Sequence, residues 1–186
     1  MILKFTKLAG CAGLLLLAAA PASAASSAFA AQFPSRILAA HNAVRAQSGV
    51  APLIWDNALG NSAAVYAQRL ALTNTFRHSD RQARRGVGEN LWMGSRGGFR
   101  VEQMVGNWAS ERRMFAAGTF PAVSRTGNWA DVGHYTQIVW PTTTRVGCAL
   151  ASNGRADYLV CHYSPAGNID GRPVGPVAVA RSIARR

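Results

Sequence analysis

Two strand-forming segments joined by a short polar turn constrain the fold of this 186-residue chain more than any other feature. The segments are RVGCALA (145–151) and DYLVCHY (157–163), and SNGR lies between them. This pattern predicts an antiparallel hairpin. A turn at residues 154–155 would place Cys148 directly opposite Cys161, whereas a turn one residue earlier would offset them by two. Both registers put the two sulfurs on one face of the sheet, within reach of a disulfide.

The first 24 residues have the pattern of a secretory signal peptide. Lys4 and Lys7 precede an apolar run that is too short to cross a bilayer, and the small residues Ala22–Ala24 provide a cleavage site. A second possible cleavage site follows Ala30. We therefore expect a secreted protein that is extracellular or periplasmic.

One domain accounts for the rest of the chain, which has no internal repeat and no second long apolar segment. We expect a monomeric domain over residues 31–170, followed by a Pro-, Gly- and Arg-rich tail over 171–186. Loss of the signal peptide would remove Cys11 and leave two cysteines. An even pair in an exported chain indicates a disulfide between Cys148 and Cys161.

The charge of the chain is strongly positive, with 20 Lys and Arg against 8 Asp and Glu and a net charge of +12. Removal of Lys4 and Lys7 from these 20 leaves 18 basic residues, all arginine, and a charge of +10. Such a field favours anionic partners: an acidic polysaccharide or other anionic envelope component, phospholipid or nucleic acid. The arginines are scattered rather than arrayed with aromatic residues, so we interpret arginine without lysine as the codon usage of a GC-rich genome, and the sequence does not predict a specific nucleic-acid site.

Three segments have helical periodicity. The first runs from Pro34 to about Gln47, and the second follows a predicted N-cap at Asp56. The third covers residues 98–115. The apolar stripes comprise Ile37, His41 and Val44 in the first helix, Leu59, Ala63, Tyr66 and Leu70 in the second, and Val101, Met104, Val105, Trp108, Arg112 and Phe115 in the third.

Four polar residues near apolar segments are candidate site residues: His78, Glu89, Glu111 and His134. His78, Glu89 and Asn90 lie in a glycine-containing segment that we predict to be a loop, residues 74–90. Glu111 lies on the edge of the third apolar stripe, where a carboxylate needs a partner or a raised pKa. The spacing alone does not show whether these residues meet.

Seven motifs, in matching order, carry a resemblance to the CAP superfamily, which comprises cysteine-rich secretory proteins, antigen five and plant group-one pathogenesis-related proteins. The chain looks like a secreted single-domain member of the bacterial type, and the resemblance spans about residues 36–170. It implies an α+β fold, a three-layer α-β-α sandwich with a small central antiparallel sheet. The motifs are HNAVR (41–45), LIWDNAL with a downstream YA (53–67), HS (78–79), GENL (88–91), WASE (108–111), GHYTQIVW (133–140) and YLVCHYSPAGN (158–168).

The resemblance also implies a functional site. His78, Glu89, Glu111 and His134 would meet in a large central cleft as the family's tetrad of two histidines and two acids. Some members bind a divalent ion there through the histidines, which makes His78 and His134 candidate ligands, most naturally for zinc. No catalytic residue is implied, because catalysis by the tetrad is not a settled family property.

The other matched residues are expected to be structural. We expect bracing or packing roles for His41, Asn42, Arg45, Asn90, Tyr135, Gln137, Trp140 and Asn168. His162 stands where asparagine is commoner in the family, and we interpret it as a variation near the sheet rather than a fifth site residue. Of the family's disulfides, the chain keeps the positions of Cys148 and Cys161.

Four arginines surround His78 in sequence: Arg77, Arg81, Arg84 and Arg85. Nearby positive charge disfavours a divalent cation, so an anion is the better guest if these arginines line the cleft.

Three functions follow from these observations. The leading hypothesis is a non-enzymatic module that binds a ligand or partner at or outside the cell envelope, because no activated nucleophile lies near the histidines. The second is a metal-dependent hydrolase of a peptide or envelope polymer, with Glu89 or Glu111 as general base toward a metal-bound water. The third is an extracellular lipid or sterol binder that uses an apolar groove.

Overall fold

The structure, a computed structural model, describes residues 22–175, with side chains from residue 31 onward. Residues 1–21 of the predicted signal peptide lie outside the described residues. Residues 176–186, the end of the predicted tail, do so as well. The chain divides into two units, Met1–Ala31 and Gln32–Arg186, and the second contains every candidate site residue.

Four helices and six strands make up the described residues. The helices are α1 (Ala22–Gln47), α2 (Asn57–Thr73), α3 (Val101–Ala109) and α4 (Gly133–Ile138). The strands are β1 (Ile54–Trp55), β2 (Gly88–Ser95), β3 (Gly118–Thr119), β4 (Arg145–Ser152), β5 (Ala156–Ser164) and β6 (Pro173–Val174). Two 3₁₀ turns, Ser110–Met114 and Trp129–Val132, precede α4.

A four-stranded sheet lies at the centre, in the order β1-β4-β5-β2. β5 is antiparallel to both β4 and β2, while the two-residue strand β1 is parallel to β4. The sheet has helices around it, which confirms the predicted α+β fold; the short parallel pair at its edge is a detail that the prediction of an antiparallel sheet missed.

The β4–β5 hairpin takes the first of the two predicted registers. Asn153 N–H donates to the Ala156 carbonyl oxygen at 3.0 Å, which leaves Gly154 and Arg155 as the two turn residues. Cys148 therefore lies directly opposite Cys161, and the two form a disulfide.

One face of the sheet is covered by α2. The Asp56 carboxylate accepts hydrogen bonds from Ala58 N–H and Leu59 N–H at 2.9 and 3.1 Å, so the predicted N-cap is confirmed. Ala63 and Leu70 of the predicted stripe are buried, together with Ala67, against Tyr158, Val160 and Leu91 of the sheet. Gly147 permits this close approach, because a Cβ there would lie 2.2 Å from the Gly60 nitrogen.

The opposite face packs against the larger core, which is built from α1, α3 and α4. Ile37, Met104, Trp108, Ile138 and Trp140 are all at least 98% buried in it. Val101 and Val105 of the predicted third stripe are buried there as well. The sequence periodicity therefore identified the helical faces that cover this side of the sheet.

The ends of two predicted helices differ from the structure. α1 begins at Ala22 rather than Pro34 and includes that proline, and the alanine-rich segment before it has high helix propensity. The third helix ends as an α-helix at Ala109 and continues as a 3₁₀ turn. Because a 3₁₀ turn has about three residues per turn, the stripe is interrupted: Arg112 is exposed, whereas Phe115 still packs against the core.

Two further segments differ from expectation. Residues 88–90, predicted as the end of a loop, begin strand β2, so the loop prediction was wrong at Glu89 and Asn90. β6 lies in the predicted tail, and it pairs with β3 and buries Val174. The first residues of that tail therefore pack against the domain.

Candidate functional site

An open cleft of about 1110 Å³ lies at one end of the sheet. Its walls come from the segment 78–90, from Trp129 and Ala130, from α4 and from residues 166–170. His78, Glu89 and His134 line it, while Glu111 lies behind His134. The structure thus places the four candidates as two His–Glu pairs, of which both histidines and one glutamate face the cleft.

The first pair is His78 and Glu89. The Glu89 side chain is fully buried, and His78 Nδ1 lies 2.7 Å from its Oε1 atom. Ser79 donates to both carboxylate oxygens, through its N–H at 2.9 Å and its hydroxyl at 2.7 Å. Burial alone would raise the pKa of Glu89, but the hydrogen bonds from His162, His78 and Ser79 outweigh it and lower the pKa far below its usual range.

His162 also contacts Glu89, so its interpretation as a variation outside the site was wrong. Its Nε2 atom lies 3.2 Å from Glu89 Oε2, and its Nδ1 atom lies 2.7 Å from the Ser62 hydroxyl on α2. Glu89 and His162 are directly opposite each other in the β2–β5 register. The sequence signal was therefore a cross-strand pair, which could not be recognised while Glu89 was assigned to a loop.

The second pair is His134 and Glu111. Glu111 Oε1 lies 2.6 Å from His134 Nδ1, and its Oε2 accepts the backbone N–H groups of His134 and Tyr135 at 3.0 Å each. The His134 ring also stacks on Trp108 at a centroid distance of 5.9 Å. Glu111 thus has the partner that its position near the core required, and it holds His134 by both ring and backbone.

In both pairs the position of the imidazole proton is set in the same way. A carboxylate can only accept, so each Nδ1 atom facing one must carry a proton, and each neutral imidazole keeps its free lone pair on Nε2. The oxygens of Glu89 receive four donors and those of Glu111 three. Because a carboxylate has about four lone-pair sites, Glu89 is fully engaged and Glu111 keeps about one, and both carboxylates orient imidazoles.

His78 and His134 could bind a divalent metal only at a site that leaves coordination positions for other ligands. A carboxylate behind the Nδ1 of each histidine is the usual arrangement around ligating histidines. Among the described residues, however, these side chains do not bring three candidate ligand atoms within 4.8 Å of one another. Ions held by His78 and His134 would therefore need water or ligand atoms to complete the coordination, as at sites that remain open.

Another cluster satisfies that distance criterion, but its chemistry excludes a metal. It comprises His41, Cys148 and Cys161. The two sulfurs form the disulfide, and the two ring nitrogens of His41 bond the Ile37 carbonyl and the Tyr163 hydroxyl at 2.8 Å each. No thiolate or free imidazole nitrogen is left to bind an ion.

Three of the four arginines near His78 line the cleft: Arg81, Arg84 and Arg85. Arg84 is committed to the protein, because its Nε lies 3.7 Å from Glu89 Oε1 and its Nη1 donates to the Val87 carbonyl at 2.9 Å. Arg81 and Arg85 are exposed. The condition under which we expected an anion to be the better guest is therefore met for three of the four arginines, and the anion itself stays a prediction.

The predicted bracing residues of α1 join it to the rest of the domain. Arg45 is 1% exposed and donates to the carbonyls of Ile138, Trp140 and Thr143 at 2.7 to 3.0 Å. Burial lowers the pKa of Arg45 to about 10, so it remains charged. Asn42 exchanges two hydrogen bonds with the backbone of Leu53.

The remaining bracing residues hold the cleft walls. Asn90 donates to the His134 carbonyl and the Tyr163 hydroxyl, and Gln137 accepts from Gly167 N–H. Gly88 is required beneath Gln137, since a Cβ there would lie 2.0 Å from its Oε1. Asn168 bonds Thr136 and Gly133, the Tyr135 hydroxyl bonds Ser48, and Trp140 is buried in the core.

Comparisons with known proteins show the family to which the chain belongs. The family model for the cysteine-rich secretory protein family, CAP, matches residues 38–163. The chain belongs to the CAP family. Pathogenesis-related protein 1C of Nicotiana tabacum is 39% identical over 137 residues, which cover 73% of this chain and 76% of that protein. A probable pathogenesis-related protein of Candida albicans is 34% identical over 78% of this chain and 41% of its own length.

Solved structures of similar proteins share the CAP fold. The structure of BmVAL-1 is 29% identical, with a TM-score of 0.62 over 76% of this chain and 81% of its own. The crystal structure of NaASP2 with Zn²⁺ is 26% identical, with a TM-score of 0.61 over 75% and 83%. Among the residues that the structure describes, no helix is both long and apolar enough to span a membrane.

Proposed function

We propose that this CAP domain is a secreted module that binds a ligand in its cleft, at or outside the cell envelope, and does not hydrolyse it. The observation that carries this proposal is the engagement of both carboxylates by donors from the protein, four at Glu89 and three at Glu111. The hydrolase considered above would need Glu89 or Glu111 to accept a proton from water at near-neutral pH, and both are already engaged. The open cleft and its exposed arginines are instead suited to holding a guest.

Substitution of His134 tests the proposal. His134→Ala removes the ring from the cleft while Glu111 keeps its two backbone donors, so the fold should remain. We expect secretion and folding to be unchanged, measured by export and by circular dichroism. A peptide- or polymer-cleaving activity that the wild type has and His134→Ala lacks would contradict a purely binding role and support the metal-dependent hydrolase.

A divalent ion, with zinc as the best fit, is a second candidate for the cleft. It is supported by the two Nε2 atoms that the His–Glu pairs leave free, and by the likeness to NaASP2, which was crystallised with Zn²⁺. We expect isothermal titration with zinc near pH 7 to show binding that His78→Ala or His134→Ala abolishes. A dialysed wild-type protein that gives no heat would contradict a metal site.

The other finer predictions remain proposals. A lipid or sterol role would need an apolar groove, and lipid extraction of the purified protein followed by mass spectrometry tests it. Secretion is supported by the disulfide and the N-terminal sequence, and a monomeric protein of the bacterial type with its domain over residues 31–170 remains our expectation.

A further inference from the structure

Two arginines on one wall of the cleft have no partner among the residues that the structure describes. Arg81 and Arg85 are exposed, and within the described residues neither forms a hydrogen bond or an ion pair. Both line the cleft. Their guanidinium groups therefore remain available to a guest.

The negative charges of the cleft do not neutralise these arginines. Glu89 is fully buried and is engaged by Arg84 and its hydrogen-bond donors. Asp170 is the other acid among the lining residues, and it is exposed. The solvent-facing formal charges are therefore two arginines against one aspartate, within a chain that carries a net charge of +12. A guest that bears more than one anionic group is favoured.

Trp129 presents aromatic surface to the same cleft. Its side chain is 43% exposed, although it is large and apolar. It packs edge to face on buried Phe120 at 5.3 Å, and it lies over Gly133, where a Cβ would come within 3.2 Å of the indole ring. Ile169, also partly exposed, lines the cleft as well. The indole is therefore held in place while part of its surface faces the guest.

These two features together specify one ligand chemistry. A guanidinium fork matches the two oxygens of a carboxylate or sulfate, and an exposed indole packs against the C–H face of a sugar ring. A small inorganic anion would contact the two guanidinium groups but would not pack on the Trp129 indole. A cleft of about 1110 Å³ is larger than those that hold most small ligands, which suits several linked sugar units.

We propose that the cleft binds an acidic polysaccharide through Arg81 and Arg85, with a sugar ring packed on Trp129. This inference rests on the proposed binding function and names its ligand class. It does not require a metal, because the arginines and the indole supply the contacts.

Binding of hexagalacturonate, an oligosaccharide with one carboxylate on each sugar, tests the proposal. Titration calorimetry is done in EDTA, so that the result does not depend on metal at the histidines. We expect the double substitution Arg81→Gln with Arg85→Gln to raise the dissociation constant at least about tenfold, because each charge-assisted contact contributes roughly a factor of ten to affinity. We expect Trp129→Leu, which keeps an apolar contact with Phe120, to weaken binding as well, and the Trp129 indole N–H resonance to shift on titration.

Arg69→Gln with Arg155→Gln is the matched control. It also removes two positive charges, but from exposed sites that do not line the cleft. We expect it to weaken binding by less than about threefold, since only long-range screened attraction is lost. Uncharged maltohexaose should not bind.

Four outcomes would overturn the inference. They are no binding of hexagalacturonate, an equal effect of both double variants, equally tight binding of inorganic phosphate, and tighter binding of anionic phospholipid vesicles that requires the same arginines. If hexagalacturonate fails while zinc or an extracted lipid binds, the binding function stands and only the ligand class is wrong.

Discussion

His162 changes the environment of the most buried acid in the cleft. It bridges Ser62 on α2 to Glu89 on β2, so the carboxylate that orients His78 is itself fixed from the sheet. A carboxylate with fewer donors would be costly to bury, since an unsatisfied charged group loses its hydration without compensation. His162 is thus a positioning residue for His78, acting through Glu89.

Replacement of His162 should destabilise the fold in proportion to the donors lost. His162→Leu leaves Glu89 Oε2 without its sheet donor, so we expect a loss of about 2 kcal/mol in the free energy of unfolding. His162→Gln can place an amide N–H near the position of Nε2, and we expect it to lose about half as much. Urea denaturation at pH 7 measures both. Equal stability of the Leu variant and the wild type would show that the His162–Glu89 contact does not stabilise the fold.

At the scale of elements, the β4–β5 hairpin is both the centre of the sheet and the site of the disulfide. The register that pairs Cys148 with Cys161 also brings His162 opposite Gly147 on one side and Glu89 on the other. Strand β5 therefore links the cross-link, the core and the candidate site. Loosening of this hairpin would disturb Glu89 through its strand partner.

Cys148→Ser should destabilise the domain by roughly 2 to 4 kcal/mol, towards the lower end because the closed loop spans only 13 residues. The thermal midpoint under reductant checks the same bond without a substitution. We expect the reduced wild type and the serine variant to melt at the same, lowered temperature. An unchanged midpoint under reductant would contradict a stabilising disulfide.

The sequence predicted the elements that have a local pattern and missed those that depend on long-range pairing. Asp56 and the helix stripes were local patterns, and so was the hairpin turn at Gly154 and Arg155. β2 was missed because Glu89 and Asn90 follow a glycine-containing loop and show no clear alternation; their strand character comes from pairing with β5. The convergence of the two His–Glu pairs is likewise long-range, and a family resemblance, not spacing, predicted it.

For the whole molecule, two buried groups make the fold sensitive to acid. Burial, the largest effect, lowers the pKa of His41 from 6.5 to about 4, so this residue is neutral in the folded state. Between pH 6.5 and 4 the unfolded chain binds a proton that the folded protein does not, and stability falls as the pH is lowered. Glu89, whose pKa is lowered from 4.5, loses its stabilising contribution only below about pH 4.5, where the unfolded carboxyl becomes protonated.

Urea denaturation at pH 7, 5.5, 4.5 and 4 should resolve the first of these windows. A shift of the His41 pKa from 6.5 to about 4 corresponds to roughly 3 kcal/mol of stability lost over that range. His41→Gln removes the titrating ring but keeps polar atoms for the Ile37 carbonyl and the Tyr163 hydroxyl, so it should be less stable at pH 7 and less sensitive to pH. If the variant and the wild type lost stability in parallel from pH 7 to 4, the sensitivity would have to arise elsewhere, and His41 would not be the residue that limits the fold in mild acid.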